Sequence, residues 1–222
     1  MNRIQKNVLS VGLVMLTLTL GHALVINSIS GSMRSFLSAT NVIMPLIGSL
    51  ISSVAGCCGI FSVWMIAKLC MHGVPITLGL PTLAAMLSWA TNNPTTGRQM
   101  ILSGLLHLGI PLASITLFIM HPVGSQAWVY SMYWLIPMAA WVVGRMRKQQ
   151  SFFAQALQST FLAHAVGSVI WLYSFTSTPA YWIALIPVVA AERLIFASSM
   201  TIISVIAAGL NKRLCTRDTL VI

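Results

Sequence analysis

The chain has 222 residues, of which 57% are hydrophobic and 6% charged, with two acids set against twelve Lys and Arg. So little polar surface cannot solvate a soluble domain of this size, and the composition implies an all-α, polytopic membrane protein. The net charge of +10 does not point to nucleic acid, because the cations lie between apolar segments, where they set orientation, and no basic patch is interleaved with stacking aromatics.

In chain order, apolar segments fall at about 8–29, 42–67, 75–91, 99–120, 127–144, 155–175 and 180–211. Each approaches the roughly 20 residues that a helix needs to cross a bilayer. The first follows MNRIQK like a signal peptide, but its run is long and no A-x-A site follows, so an uncleaved helix is expected. The segment at 42–67 is expected as one helix with Gly48, Ser52 and Gly56 on a single face, a small-xxx-small pattern that lets helices approach closely. Such a face packs either a partner or another helix of the same chain. The segment at 75–91 is interrupted by Pro75, Gly79 and Pro81. Short polar breaks such as NNPTTGR, HPVGSQ and RMRKQQ separate the later segments. The expected organisation is an N-terminal helix and loop over 1–41, a six-helix membrane domain over 42–211 and a basic tail over 212–222. Cys57, Cys58, Cys70 and Cys215 form no CxxC, which argues against a disulfide framework or zinc site and for buried thiols packing as small apolar groups.

The positive-inside rule places Arg98, the Arg145–Arg147–Lys148 cluster and the Lys212–Arg213–Arg217 tail together on the cytoplasmic side, two crossings apart each time. The N-terminal third stays open. Seven crossings put Arg3, Lys6 and Lys68 outside, whereas six, with 75–91 re-entrant, leave only Arg34 there.

Charge inside the last segment is the strongest functional signal. Glu192 and Arg193 stand mid-way along AYWIALIPVVAAERLIFASSMTIISVIAAGL. An ionisable group at the centre of a membrane helix costs a few kcal/mol and usually faces a substrate route or an intramembrane partner. Neighbours on a helix point about 100° apart, so mutual neutralisation is not expected of this pair. Aromatics gather at the expected outer ends: Trp128, Tyr130, Tyr133 and Trp134, then Trp171 and Tyr173, then Tyr181 and Trp182. Interfacial belts account for most of them, and a few are candidates for the wall of a ligand cavity.

Several stretches are similar to a known family. VPITLGLPTLAAML (74–87), Gly97-Arg98, SGLLHLGIP (103–111), HPVG (121–124), AVGSVIWLY (165–173) and Pro187 followed five residues later by Glu192 resemble the biotin-type substrate-binding (S) subunits of energy-coupling factor (ECF) vitamin transporters. The likeness covers about 42–211, six helices. It implies a membrane subunit that captures a small vitamin-like, acidic or zwitterionic substrate and is energised by a separate ATPase and membrane coupling protein. Glu192 then takes the place of the family's ligand-binding aspartate. The family's lysine three residues further on falls at Ile195, with Arg193 the nearest cation, a departure that bears against biotin itself. The resemblance further implies that Trp128, Tyr133, Trp134, His164, Trp171, Tyr173, Trp182 and Thr77 surround the ligand, that Pro75–Thr82 forms a lid, and that Gly48, Ser52 and Gly56 dock the coupling protein.

Two other functions remain in view. His107 and His164 lie at similar depth on parallel segments, as a bis-histidine b-type haem requires, although hydrogen-bonded core histidines fit the pattern as well. Glu192 beside Arg193 would also suit a proton-coupled secondary transporter, a class that usually shows paired broken helices where only one is visible here. No cofactor is expected, and neither is enzymatic activity. The only acids are Glu192 and Asp218, and there is no HExxH, no P-loop and no dinucleotide loop.

Overall fold

Polar breaks and prolines divide the apolar sequence into helices, three of which start on local caps. A computed structural model describes residues 12, 25–26, 37–38, 40–51, 53–72 and 76–218. Helices α1 (Thr40–Ile51) and α2 (Val54–His72) are followed by a 3₁₀ turn, Ile76–Gly79, and by α3 (Leu80–Ala90). Helix α4 (Gly97–Met120) contains a π-turn at Leu105–Gly109 and leads to the short α5 (Pro122–Gln126) and a 3₁₀ segment, Trp128–Trp134. Helices α6 (Leu135–Met146), α7 (Phe152–Ser174) and α8 (Pro179–Asp218) complete the chain. Apart from an antiparallel ladder of β1 (Val25–Ile26) with β2 (Leu37–Ser38), the described secondary structure is helical.

Three starts have a clear chemical cause. Thr96 and Gln99 form a capping box on α4, the Ser151 hydroxyl accepts the Ala154 N–H at the head of α7, and His121 accepts from Val123 before α5, where Pro122 supplies the fixed φ of a first turn. Two helical stretches, Gly97–Met120 and Pro179–Gly209, are long and apolar enough to cross a membrane. The apolar helices within Val54–Cys70 and Leu80–Ala90 are shorter.

Helix α7 occupies the centre and packs against α3, α4, α6 and α8. Ser159 donates to the Ala85 carbonyl of α3 (3.1 Å), Arg193 of α8 reaches Thr160, and Tyr173 donates to the Leu117 carbonyl of α4 (2.8 Å). Gly167 of α7 lies against Pro81 of α3, so 159–167 meets 85–81 and α3 runs antiparallel to α7, as does α8 beyond the short 175–178 turn. The turns after α3 and after α6 therefore share one end, tied directly by Arg145 Nη2 donating to the Asn92 carbonyl at 2.7 Å. Arg98, Arg145, Arg147 and Lys148 thus lie at one end of the bundle.

Several expectations need correction. The segment at 42–67 is two helices, because the α1 helix ends at Ile51 and Ser53 lies outside both helices. Gly48 and Gly56 consequently sit on different helices rather than one face, and Ser52 lies outside the described residues. Gly48 is buried so closely against the Met86 backbone of α3 that a Cβ would overlap the Met86 carbonyl, so its face is taken by the chain's own helix. The helix expected over 8–29 gives way at β-branched Val25–Ile26 to the ladder, and beyond helical Gly12 the rest of it is outside the described residues, as is Pro75. The far end of the expected Pro75–Thr82 lid is the first turn of α3. Of the thiols, Cys57 is buried but Cys70 is exposed.

Close approach at Gly48 makes a specific forecast. Gly48→Ala should destabilise the protein by about 2 kcal/mol or more, since a backbone rather than a flexible side chain must move. Gly59→Ala, where nothing lies within 4 Å of the new methyl, should leave thermal unfolding in detergent unchanged or slightly raised. Equal melting temperatures for the two variants would show that α1 and α3 do not meet as described.

Candidate functional site: a buried polar cluster around Arg193

The 3₁₀ geometry of Trp128–Trp134 organises the first wall. Side chains three residues apart eclipse in such a helix, so Tyr130 and Tyr133 stand in register, and so do Ser131 and Trp134. The Tyr130 hydroxyl lies 2.9 Å from His164 Nε2 and 3.3 Å from Ser168 Oγ on α7. Tyr133 donates to the Ile186 carbonyl of α8 at 2.8 Å and stacks on Phe161 with ring centroids 5.7 Å apart. Gly124 permits the preceding turn to close, because a Cβ there would meet the Phe118 backbone carbonyl.

The second wall is the charge pair. Arg193 Nη2 lies 2.6 Å from Glu192 Oε2, and Nη1 donates to the Thr160 hydroxyl (3.2 Å) and carbonyl (3.3 Å) of α7. The guanidinium also covers the Phe196 ring at 4.8 Å. Although the two side chains leave α8 in different directions, the long arginine stem folds back to its neighbour. That overturns the expectation that the pair would not neutralise itself. The pairing is incomplete: Arg193 Nε is buried without an acceptor, while the side chains keep 13% (Arg193) and 22% (Glu192) exposure.

Glu192, Arg193, His164 and Tyr133 are thus brought together. Sequence reasoning did not single out Ser168 and Thr160, and it named Tyr130 only as one of the gathered aromatics; its i, i+3 spacing from Tyr133 is the signal that could have set it apart. Trp134 and Trp182 lie against the same cluster but are fully buried, packed edge to face on Phe118 at 5.3 and 5.1 Å, so these rings fill the core rather than line an open wall. Trp171 is half-buried at its margin and packs on Phe175. Trp128, Tyr173 and Thr77 are exposed and stand apart from it.

His107 belongs to a different network. Its Nδ1 lies 2.9 Å from the Ser103 carbonyl, which can only accept, so Nδ1 carries the hydrogen and Nε2 accepts from the Ser88 hydroxyl at 2.9 Å. With Nδ1 protonated and Nε2 occupied, this arrangement leaves His107 no lone pair for iron. His164 Nε2 is likewise engaged by Tyr130. Among the described residues no three His, Cys, Asp or Glu side chains converge on a metal position. No protein family, curated protein or solved structure matches the chain.

Removing the hydroxyl in Tyr130→Phe leaves His164 Nε2 with only the 3.4 Å Ser168 contact. Stability should fall on the order of 1–3 kcal/mol, the cost of an unsatisfied buried polar group. Tyr173→Phe, at an exposed hydroxyl, should change it by less than about 1 kcal/mol. Thermal unfolding of the two variants side by side checks this, and the reverse ranking would place the Tyr130 contact at the periphery.

Proposed function

We propose that the chain is a multi-pass membrane protein of six or seven crossings that captures a small polar or zwitterionic molecule at Glu192 and Arg193, as the substrate-binding subunit of a vitamin-type importer. A separate membrane coupling protein and ATPase would provide the energy. One observation carries this reading: the only acid in the chain's apolar segments sits mid-way along a span-length helix, yet its pairing with Arg193 is incomplete. A purely structural ion pair in an apolar interior needs all its donors and acceptors satisfied. Here the guanidinium keeps an unbonded Nε–H and Glu192 remains partly accessible, which leaves groups for a ligand to complete. Tyr130, Tyr133 and His164 supply adjacent polar and aromatic surface.

Proton-coupled transport is a second reading, favoured by the run of exchangeable protons in Tyr130, His164 and Ser168 beside the pair. The two separate experimentally. Native mass spectrometry of the gently purified protein identifies a retained ligand, and calorimetry then measures its affinity. Under substrate capture, Glu192→Gln and Arg193→Gln should each weaken binding by tens-fold or more, matching the roughly 2–5 kcal/mol lost when one partner of a desolvated charged contact is removed. Under proton coupling, Glu192→Gln should spare binding and abolish pH-driven accumulation. Equal affinity in wild type and both variants, with no transport defect, would remove the pair from function.

A further inference from the structure

The end of the bundle that carries the basic residues contains a second arrangement outside the Arg193 cluster. Arg145, in the last turn of α6, is held on two sides. Its Nη2 donates to the Asn92 carbonyl at 2.7 Å, and the guanidinium lies 5.5 Å from the Trp141 ring centroid. Trp141 is itself fixed, its indole N–H donating to Ser103 Oγ at 2.9 Å and its ring lying near parallel to His107. Arginine has five N–H donors in a planar fork suited to phosphate, and the Asn92 carbonyl takes one of them.

Asn92 supplies an independent observation. It is 2% exposed, and neither its Nδ2 nor its Oδ1 has a partner, although the residue's own carbonyl anchors the guanidinium. Burial holds the Asn92 backbone, and with it the carbonyl that orients the guanidinium, in place. Charge points the same way. Arg98, Arg145, Arg147 and Lys148 share this end, while Glu192 is bonded to Arg193 and the other acid, Asp218, belongs to a tail that carries Lys212, Arg213 and Arg217.

We propose that Arg145, positioned by Trp141 and Asn92, binds the phosphate of an anionic phospholipid at the basic end of the bundle. The guanidinium fork takes the phosphate oxygens. This inference rests on the membrane reading above but not on the Arg193 site or on any transported substrate.

The full chain, purified in detergent, is titrated with phosphatidylglycerol, with phosphatidylcholine and with inorganic phosphate, following lipid adducts by native mass spectrometry and the melting temperature. Wild type should retain phosphatidylglycerol in preference to phosphatidylcholine and gain thermal stability from it. Arg145→Gln should weaken that retention on the order of tenfold. Arg147→Gln removes the same charge without the anchored geometry and should change it far less. Arg145→Lys keeps the charge but loses the fork and the stacking, so it should also lose retention, which covers the case in which the glutamine variant folds poorly. Equal losses for Arg145→Gln and Arg147→Gln would reduce the effect to diffuse charge and overturn the site. The same stabilisation by inorganic phosphate alone would make a free anion the occupant and overturn the lipid assignment. Release of the protein from membranes by alkaline extraction would instead sink the membrane reading, whatever the lipid titration gives.

Discussion

The interior depends on one constraint: helix α7 carries buried polar side chains on several of its faces, and each needs a partner within an otherwise apolar assembly. Ser159 finds the Ala85 carbonyl of α3, Thr160 receives Arg193 of α8, and His164 and Ser168 meet Tyr130. Apolar packing alone would let the neighbouring helices slide or rotate with little penalty. Hydrogen bonds at fixed positions on different faces hold α3, α8 and the Trp128–Trp134 segment in one register, since a displaced helix would strand a donor at roughly 1–3 kcal/mol. Gln158 breaks the pattern: it is fully buried and neither atom of its amide is bonded. We have no physical account of that residue.

What was legible in the sequence follows from what apolar periodicity and charge can report. Long apolar runs gave α4, α7 and α8 close to their observed extents, because the prolines inside them are accommodated: Pro111 follows the π-turn of α4 and Pro187 lies within α8. The break near Gly79 was visible in Pro75 and Pro81. The break between α1 and α2 was not, since LIGSLISSVAGCCG contains no proline and reads as a continuous small-residue surface. Tertiary packing decides that case: Gly48 must lie flat on Met86, and one straight helix through 42–67 is not what the chain adopts. The 3₁₀ course of Trp128–Trp134 was hidden for a similar reason, because its WVYSMYW composition suits an α-helix or an interfacial belt equally well.

The candidate site was legible at its charges and obscure at its neutral members. Acids are so rare in this chain that Glu192 declared itself, and Arg193 came with it. Aromatic residues carry less information, because burial, interface and ligand wall all favour the same side chains. Trp134 and Trp182 proved to be core, Trp128 and Tyr173 surface, and only Tyr133 among the expected aromatics reaches the charged pair's helix through a polar atom. Histidine spacing was equally ambiguous. Matched depth placed His107 and His164 together in sequence logic, whereas Ser88 and Ser103 draw one into a separate network and Tyr130 holds the other.

The two charges of the pair are not equivalent in position, and that asymmetry bears on function. Val189, Phe196, Ala197 and Met200 define the buried face of α8, and Arg193 sits near its middle. Glu192 stands about 100° round the helix, toward the flank. Arginine tolerates burial here because Thr160, the Phe196 ring and Glu192 each take part of its charge, while its weakly hydrated guanidinium is desolvated more cheaply than an ammonium. The glutamate does not choose its partner so much as lie where a buried cation can reach it. A ligand carboxylate arriving at the same position would meet a guanidinium already oriented, with Glu192 free to turn to the ligand's positive end or to accept a proton. The same geometry is therefore compatible with both proposed roles, substrate capture and proton coupling. What separates them is whether Glu192 holds the ligand or only the proton.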